Sequence, residues 1–318
     1  MLLHQSSGRW QLGLTLALAA TALWGVLPVA EVVILQELDV YTLIWFRFLM
    51  SFGLLALYLR IRQPFATQAV DFKAICGAIL TRSPQLWLLI IAALGLAGDY
   101  LFYLLGLART SPGNTEVLIQ LSPLLLGLGA IALFQERYTR YQWMGVGVLV
   151  CGFTLFFKEQ LRTLITSSPD YLIGSGWIVV AAIAWAIYAL AQKQLLHSLP
   201  STHIMLGIYG ICTLLFTPFA DPQRLLMLSP LGIALLIFCG FNTIFAYGAF
   251  SESLEHWDAS KVSAVIALTP IITLGMSWAI AEVVPNLLPP ERITLLGLCG
   301  IVFVIVGSVL VALGKHND

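Results

Sequence analysis

The chain has 318 residues, 59% of them hydrophobic and 10% charged, with a mean hydropathy of +0.91. So little polar material cannot coat a soluble globule of this length, which points to an integral membrane protein. Lys plus Arg and Asp plus Glu number 16 each, so the formal net charge is zero and neither a basic nucleic-acid surface nor an acidic partner-binding tail is implied. The five cysteines, Cys76, Cys151, Cys212, Cys239 and Cys299, lie far apart with no C-x-x-C pair; they read as small hydrophobes, with no disulfide framework, metal site or cofactor expected.

A membrane-spanning helix needs about 20 mainly apolar residues, and such runs predict ten spans, at residues 11–33, 40–59, 86–107, 112–134, 141–157, 173–195, 204–220, 231–250, 260–281 and 293–313. The first is too long for a cleavable signal, carries Trp24 and Pro28, and lacks a small-residue cleavage site. At 3.6 residues per turn one face of span one collects Ala17, Thr21, Trp24, Pro28 and Glu31. Span two carries Arg47, and the Arg60–Pro84 loop has room for one amphipathic interfacial helix around TQAVDFKAICGAIL. Span three holds LGLAGDYLFYLLGLA, in which Asp99 shares a face with Gly95, Phe102, Tyr103 and Gly106. Matching faces are Glu116, Gln120, Pro123 and Gly127 in span four, Ala181, Trp185, Tyr188 and Gln192 in span six, and Asn242, Phe245 and Ala249 in span eight. Together they predict an aromatic-lined polar cleft between helices, the usual form of a small-molecule site.

A carboxylate at bilayer depth costs roughly 2.5–3.5 kcal/mol on insertion scales and normally faces a bundle interior or a wet cavity. At 1.5 Å of rise per residue, Arg47 and Asp99 lie roughly 10 and 12 Å below the outer ends of their spans, with Glu116 somewhat shallower. Two readings stay open at this point: Arg47 forms a structural ion pair with Asp99 or Glu116, or an acid binds a proton or a substrate ammonium. Trp24 and Trp185 are equally open between packing and ligand stacking. Pro28, Pro123 and Pro270 are helix-breaking residues tolerated in spans when neighbours satisfy the freed carbonyl, as hinges or as static kinks.

Shifting the chain by 147 residues lays RTSPGNTEVLIQLSPLL on HWDASKVSAVIALTPII, with Pro123 on Pro270, Ser122 on Thr269 and Tyr100 on Tyr247. At a slightly different shift, AATALW ending at Trp24 matches AAIAW ending at Trp185. The two halves, residues 1–165 and 166–318, would each hold five spans. An odd number makes the second enter the membrane from the opposite side, an inverted-topology repeat.

The stretches ALWGVLPVA, RFLM at Arg47, LSPLLLGLGAIALFQERYTRYQWMGVGVLVCG and LTPIITLGMSWAIAE resemble the twin EamA repeats of the drug/metabolite transporter superfamily. The likeness is to its ten-helix branch, which includes bacterial amino-acid and metabolite exporters. It covers nearly the whole chain and specifies fold and broad class better than substrate. One departure is AEVVPNLLPPERITLLG, about six residues longer between Glu282 and Gly297 than its counterpart between Glu136 and Gly145.

Enzyme readings find no support in the sequence. Asp99 has no second deep aspartate, the five histidines sit at span ends or in the tails, and no G-x-x-x-x-G-K-[ST] loop occurs. Rings of like residues or a re-entrant filter, as in channels, are not evident either. The expectation is therefore an all-α secondary transporter that moves a small organic solute by alternating access in a plasma or bacterial inner membrane, with protons as a candidate second partner; export of amino acids or related metabolites is what the resemblance implies. The alternatives are a carrier for another metabolite class and a channel-like or scaffolding protein. A two-to-one excess of Lys and Arg in the loops on the N-terminal side puts both termini in the cytoplasm.

Overall fold

The computed structural model describes residues 6–62, 84–110, 112–135, 138–166, 169–283 and 295–313. Among them it is all helical, with α1 Trp10–Ile34, α2 Val40–Arg62, α3 Pro84–Leu107, α4 Pro112–Leu118, α5 Leu121–Phe134, α6 Arg140–Thr166, α7 Pro169–Leu195, α8 Ser201–Phe216, α9 Pro230–His256, α10 Ala259–Ile266, α11 Thr269–Val283 and α12 Leu295–Leu313. Eight stretches among the described residues are long and apolar enough to cross a membrane; two of them, Asn114–Phe134 and Ala259–Ile280, run through the breaks between α4 and α5 and between α10 and α11. The other two expected spans coincide with α6 and α12, the latter containing the shorter apolar helix Val302–Val311. The expected interfacial helix, Glu136 and most of the longer connection after Glu282 lie outside the described residues.

The order of elements repeats: three long helices, a short helix broken from a longer one, then a sixth. Packing repeats with it. α3 lies along α7 as α9 lies along α1, α5 touches α7 as α11 touches α1, and α2–α8 and α6–α12 pair across the halves. Close approach is set by glycine where helices cross. A Cβ on Gly95 of α3 would come within 2.9 Å of the Ala184 carbonyl oxygen, and one on Gly145 of α6 within 2.9 Å of the Gly307 carbonyl oxygen. A large apolar core joins α1–α3 to α7–α10, while a smaller one of Leu149, Phe153, Ala264, Ala267, Val304 and Val311 holds α6 and α12 against α10.

Both breaks are explained by proline. Pro123 has no N–H for the Ile119 carbonyl four residues earlier, and the Ser122 N–H takes it instead at 2.8 Å. Pro270 frees the Ile266 carbonyl, which the Thr269 hydroxyl caps at 2.6 Å. Pro28 sits inside an uninterrupted α1, so it does not interrupt its helix as the other two do.

At one end of the bundle the α1–α2 loop is fastened to the segment leading into α9. Glu37 accepts from the Ser229 backbone N–H and hydroxyl at 2.8 and 2.7 Å, which holds its carboxyl below the ordinary value of 4.5. Ser229 also caps α9 through Gly232, with Pro230 in the first turn. At the other end the Ser7 hydroxyl lies 2.8 Å from His256 Nδ1 and Glu252 lies 3.4 Å from the other ring nitrogen.

Candidate functional site

A small cavity of about 90 Å³ lies where the two halves meet. Its walls come from α1 (Trp24, Leu27, Glu31), α2 (Arg47), α3 (Asp99, Tyr100, Tyr103, Leu104), the α4–α5 break (Glu116, Ile119, Gln120, Ser122, Pro123), and from the second half Trp185, Tyr247, Ile266 and Thr269. Residues matched by the repeat meet in it. Trp24 and Trp185 have ring centroids 5.9 Å apart, and Tyr100 and Tyr247 5.6 Å apart, as expected of groups facing one another across a pseudo-two-fold axis.

The charge-bearing residues are not placed symmetrically: Glu31, Arg47, Asp99 and Glu116, the acids and base of the wall, all belong to the first half. Arg47, 2% exposed, donates through Nη1 to Glu31, through Nε to Thr243 at 2.8 Å and through Nη2 to the Tyr100 hydroxyl at 3.2 Å. Its guanidinium carbon also lies 4.4 Å from the Tyr100 ring centroid, a cation–π contact. This corrects the expected pairing. The counter-ion of Arg47 is Glu31, not Asp99 or Glu116. Asp99 accepts instead from the Tyr247 hydroxyl at 3.2 Å, and Glu116 from the Tyr103 hydroxyl at 3.0 Å.

Seven of the nine polar and aromatic residues singled out in the sequence line the cavity: Trp24, Arg47, Asp99, Tyr103, Glu116, Gln120 and Trp185. Tyr188 stands behind it, fully buried, its hydroxyl 3.6 Å from the Met205 sulfur and its ring 5.8 Å from that of Tyr247. Asn242 is turned away from the cavity, with its amide donating to the Leu23 carbonyl of α1 at 2.6 Å. Phe245 of the same expected face is 59% exposed and points outward. Pro123 lines the cavity; Pro28 and Pro270 do not. The polar and aromatic residues missed as site members are Glu31, Tyr100, Ser122, Tyr247 and Thr269, although Glu31 lay on the inward face of span one and the other four were matched by the repeat. Among the described residues no three His, Cys, Asp or Glu side chains converge to hold a metal ion.

The arrangement can hold a small solute between indole and phenol faces and pair it with carboxylates. The sequence matches the EamA-like transporter family over residues 11–158 and 172–313. It is 33% identical to a protein of Escherichia coli K12 named as an uncharacterized inner membrane transporter, YhbE, over 96% of this chain and 92% of that one. An uncharacterized transporter of Haemophilus influenzae is 29% identical over 95% of each chain. One solved structure, described only as the crystal structure of a protein, superposes with a TM-score of 0.66 at 16% identity, covering 99% of this chain and all of that one. That likeness speaks for the fold alone. With a family match across both halves and a relative above 30% identity over nearly its full length, the chain belongs to the EamA family of the drug/metabolite transporter superfamily and is an integral membrane transporter.

Proposed function

We propose that the protein is a ten-span secondary transporter of the bacterial inner membrane that exports amino acids or related small metabolites by alternating access. Its two five-helix units, residues 1–165 and 166–318, would be inverted with respect to one another, with both termini in the cytoplasm. The observation that carries this reading is the cavity itself: a polar, aromatic-lined chamber at the meeting of two similar halves, where alternating-access carriers place their site. α6, with 27 residues, and α12, with 19, are long enough to complete the tenfold count at about 1.5 Å per residue. The proline breaks at Pro123 and Pro270 supply one equivalent joint in each half.

In this mechanism the aromatic walls hold the body of the solute, and Asp99 is the group that alternates between solute or proton and its Tyr247 hydrogen bond. The Glu31–Arg47 pair positions α1 and α2 about the site. Counterflow in proteoliposomes against labelled amino acids, amines, sugars and nucleobases tests the reading, which requires saturable exchange of one class. Exchange of none would defeat it. Orientation is tested by an impermeant thiol reagent on intact cells: a cysteine after Asp39 should label from outside and one at Arg140 should not, and the reverse result would invert the topology.

A further inference from the structure

The wall chemistry of the cavity is lopsided in a way that specifies the charge of its solute. Three carboxyl groups, Glu31, Asp99 and Glu116, face a single base, Arg47. Each nitrogen of that base already has a protein partner: Nε serves Thr243, the two terminal nitrogens serve Glu31 and Tyr100, and the Tyr100 ring lies against the guanidinium. Its charge is already paired with Glu31, and a substrate carboxylate would have to compete with that buried partner for it.

The acceptors are in the opposite condition. Glu31 Oε2 and Gln120 Oε1 are buried, belong to residues lining the cavity, and receive no hydrogen bond from the protein. A buried acceptor left in that state keeps its full desolvation penalty. The phenols do not relieve it, since Tyr247 donates to Asp99, Tyr103 to Glu116 and Tyr100 to Thr243. An ammonium group brings three donors and a positive charge, and indole faces such as those of Trp24 and Trp185 attract cations. A metal ion does not fit the same wall, because among the described residues no three ligands converge.

We infer that the site, taken as the transport site proposed above, narrows the solute class given there from amino acids to their amine relatives: it selects organic ammonium ions over zwitterions, that is, amines or amino-acid derivatives whose carboxylate is absent or masked. A free amino acid would carry its carboxylate into a wall with three acids and a single base already paired with Glu31, a like-charge juxtaposition that discriminates against it.

The test uses the purified full-length protein in detergent and four probes with one indole body: tryptamine, tryptophan amide, tryptophan and indole-3-propionate. Titrations followed by calorimetry and by the shift in unfolding midpoint should show tryptamine and tryptophan amide binding at least about tenfold tighter than tryptophan, and indole-3-propionate not at all. Glu31→Gln and Gln120→Leu should each narrow that preference. Gln120→Leu leaves the Glu31–Arg47 pair intact, so it decides the matter if Glu31→Gln does not fold. Tryptophan binding as tightly as tryptamine overturns the inference and leaves the transport reading standing. Binding of no indole probe, with counterflow of a sugar or nucleobase, has the same consequence. Neither binding nor counterflow of any solute overturns both.

Discussion

Arg47→Ala should be the most damaging single substitution at the cavity, and the structure says by how much. The guanidinium is 2% exposed and its partner Glu31 1%, so removing it strands a buried carboxylate. Breaking a buried pair from one side costs about 3–5 kcal/mol, and loss of the contact with the Tyr100 ring adds about 0.5–2 kcal/mol. Removing both charges is a different perturbation. Glu31→Leu with Arg47→Met takes away the pair and the desolvation penalty together, and such replacements are often neutral or stabilising. The double variant should therefore recover most of the loss, which makes the coupling between the positions nearly the sum of the two single losses, about 6 kcal/mol or more. The assay is the unfolding midpoint of the wild type, Glu31→Leu, Arg47→Met, their double variant and Arg47→Ala, in one detergent at one ligand concentration. A loss under about 1 kcal/mol for Arg47→Ala would refute the reasoning. So would a double variant as unstable as the sum of its parts.

Asp99→Asn should fold and insert, because an amide oxygen still accepts from Tyr247, while transport or its dependence on pH is lost; wild-type transport and pH profile in a well-expressed variant would reduce Asp99 to packing. Gly307→Val should cost about 1–3 kcal/mol by overpacking, since a Cβ there would lie 2.6 Å from the Leu149 nitrogen; Gly147→Val, with nothing within 4 Å of its Cβ, serves as the tolerated control in the same melting assay. Glu37, held below 4.5 in the folded state by its two bonds from Ser229, contributes stability that is present above about pH 4.5 and is lost as pH falls through its lower folded value. Glu37→Gln should accordingly lower the neutral plateau and flatten the acid limb of the stability profile below pH 4.5, leaving stability at the acid end unchanged.

Much of this was legible in the chain because membrane helices announce themselves by length and apolarity, and because the repeat made testable pairs. The 147-residue shift that set Tyr100 on Tyr247, with the match of Trp24 to Trp185, named residues that the structure brings face to face. Pro123 and Pro270 marked both helix breaks. Partner choice was not legible. Depth along a helix ranked Arg47 with Asp99 and Glu116, yet Arg47 is long enough to cross to Glu31 near the end of α1. Nothing in a single helix's periodicity says which neighbour its polar face meets. Asn242 shows the same limit: α9 is apolar on nearly every side, so a helical face there carries little information, and packing of α9 along α1 gives its amide the Leu23 carbonyl.

The central claim is that this cavity opens to one side of the membrane at a time. It is tested most directly by a single cysteine at Gln120, in a background with the five native cysteines replaced, probed with an impermeant thiol reagent applied to either face of sealed vesicles. The account predicts reaction from both faces, with a transported solute shifting the ratio of the two rates in opposite directions. Reaction from one face alone, unchanged by any transported solute, would contradict it.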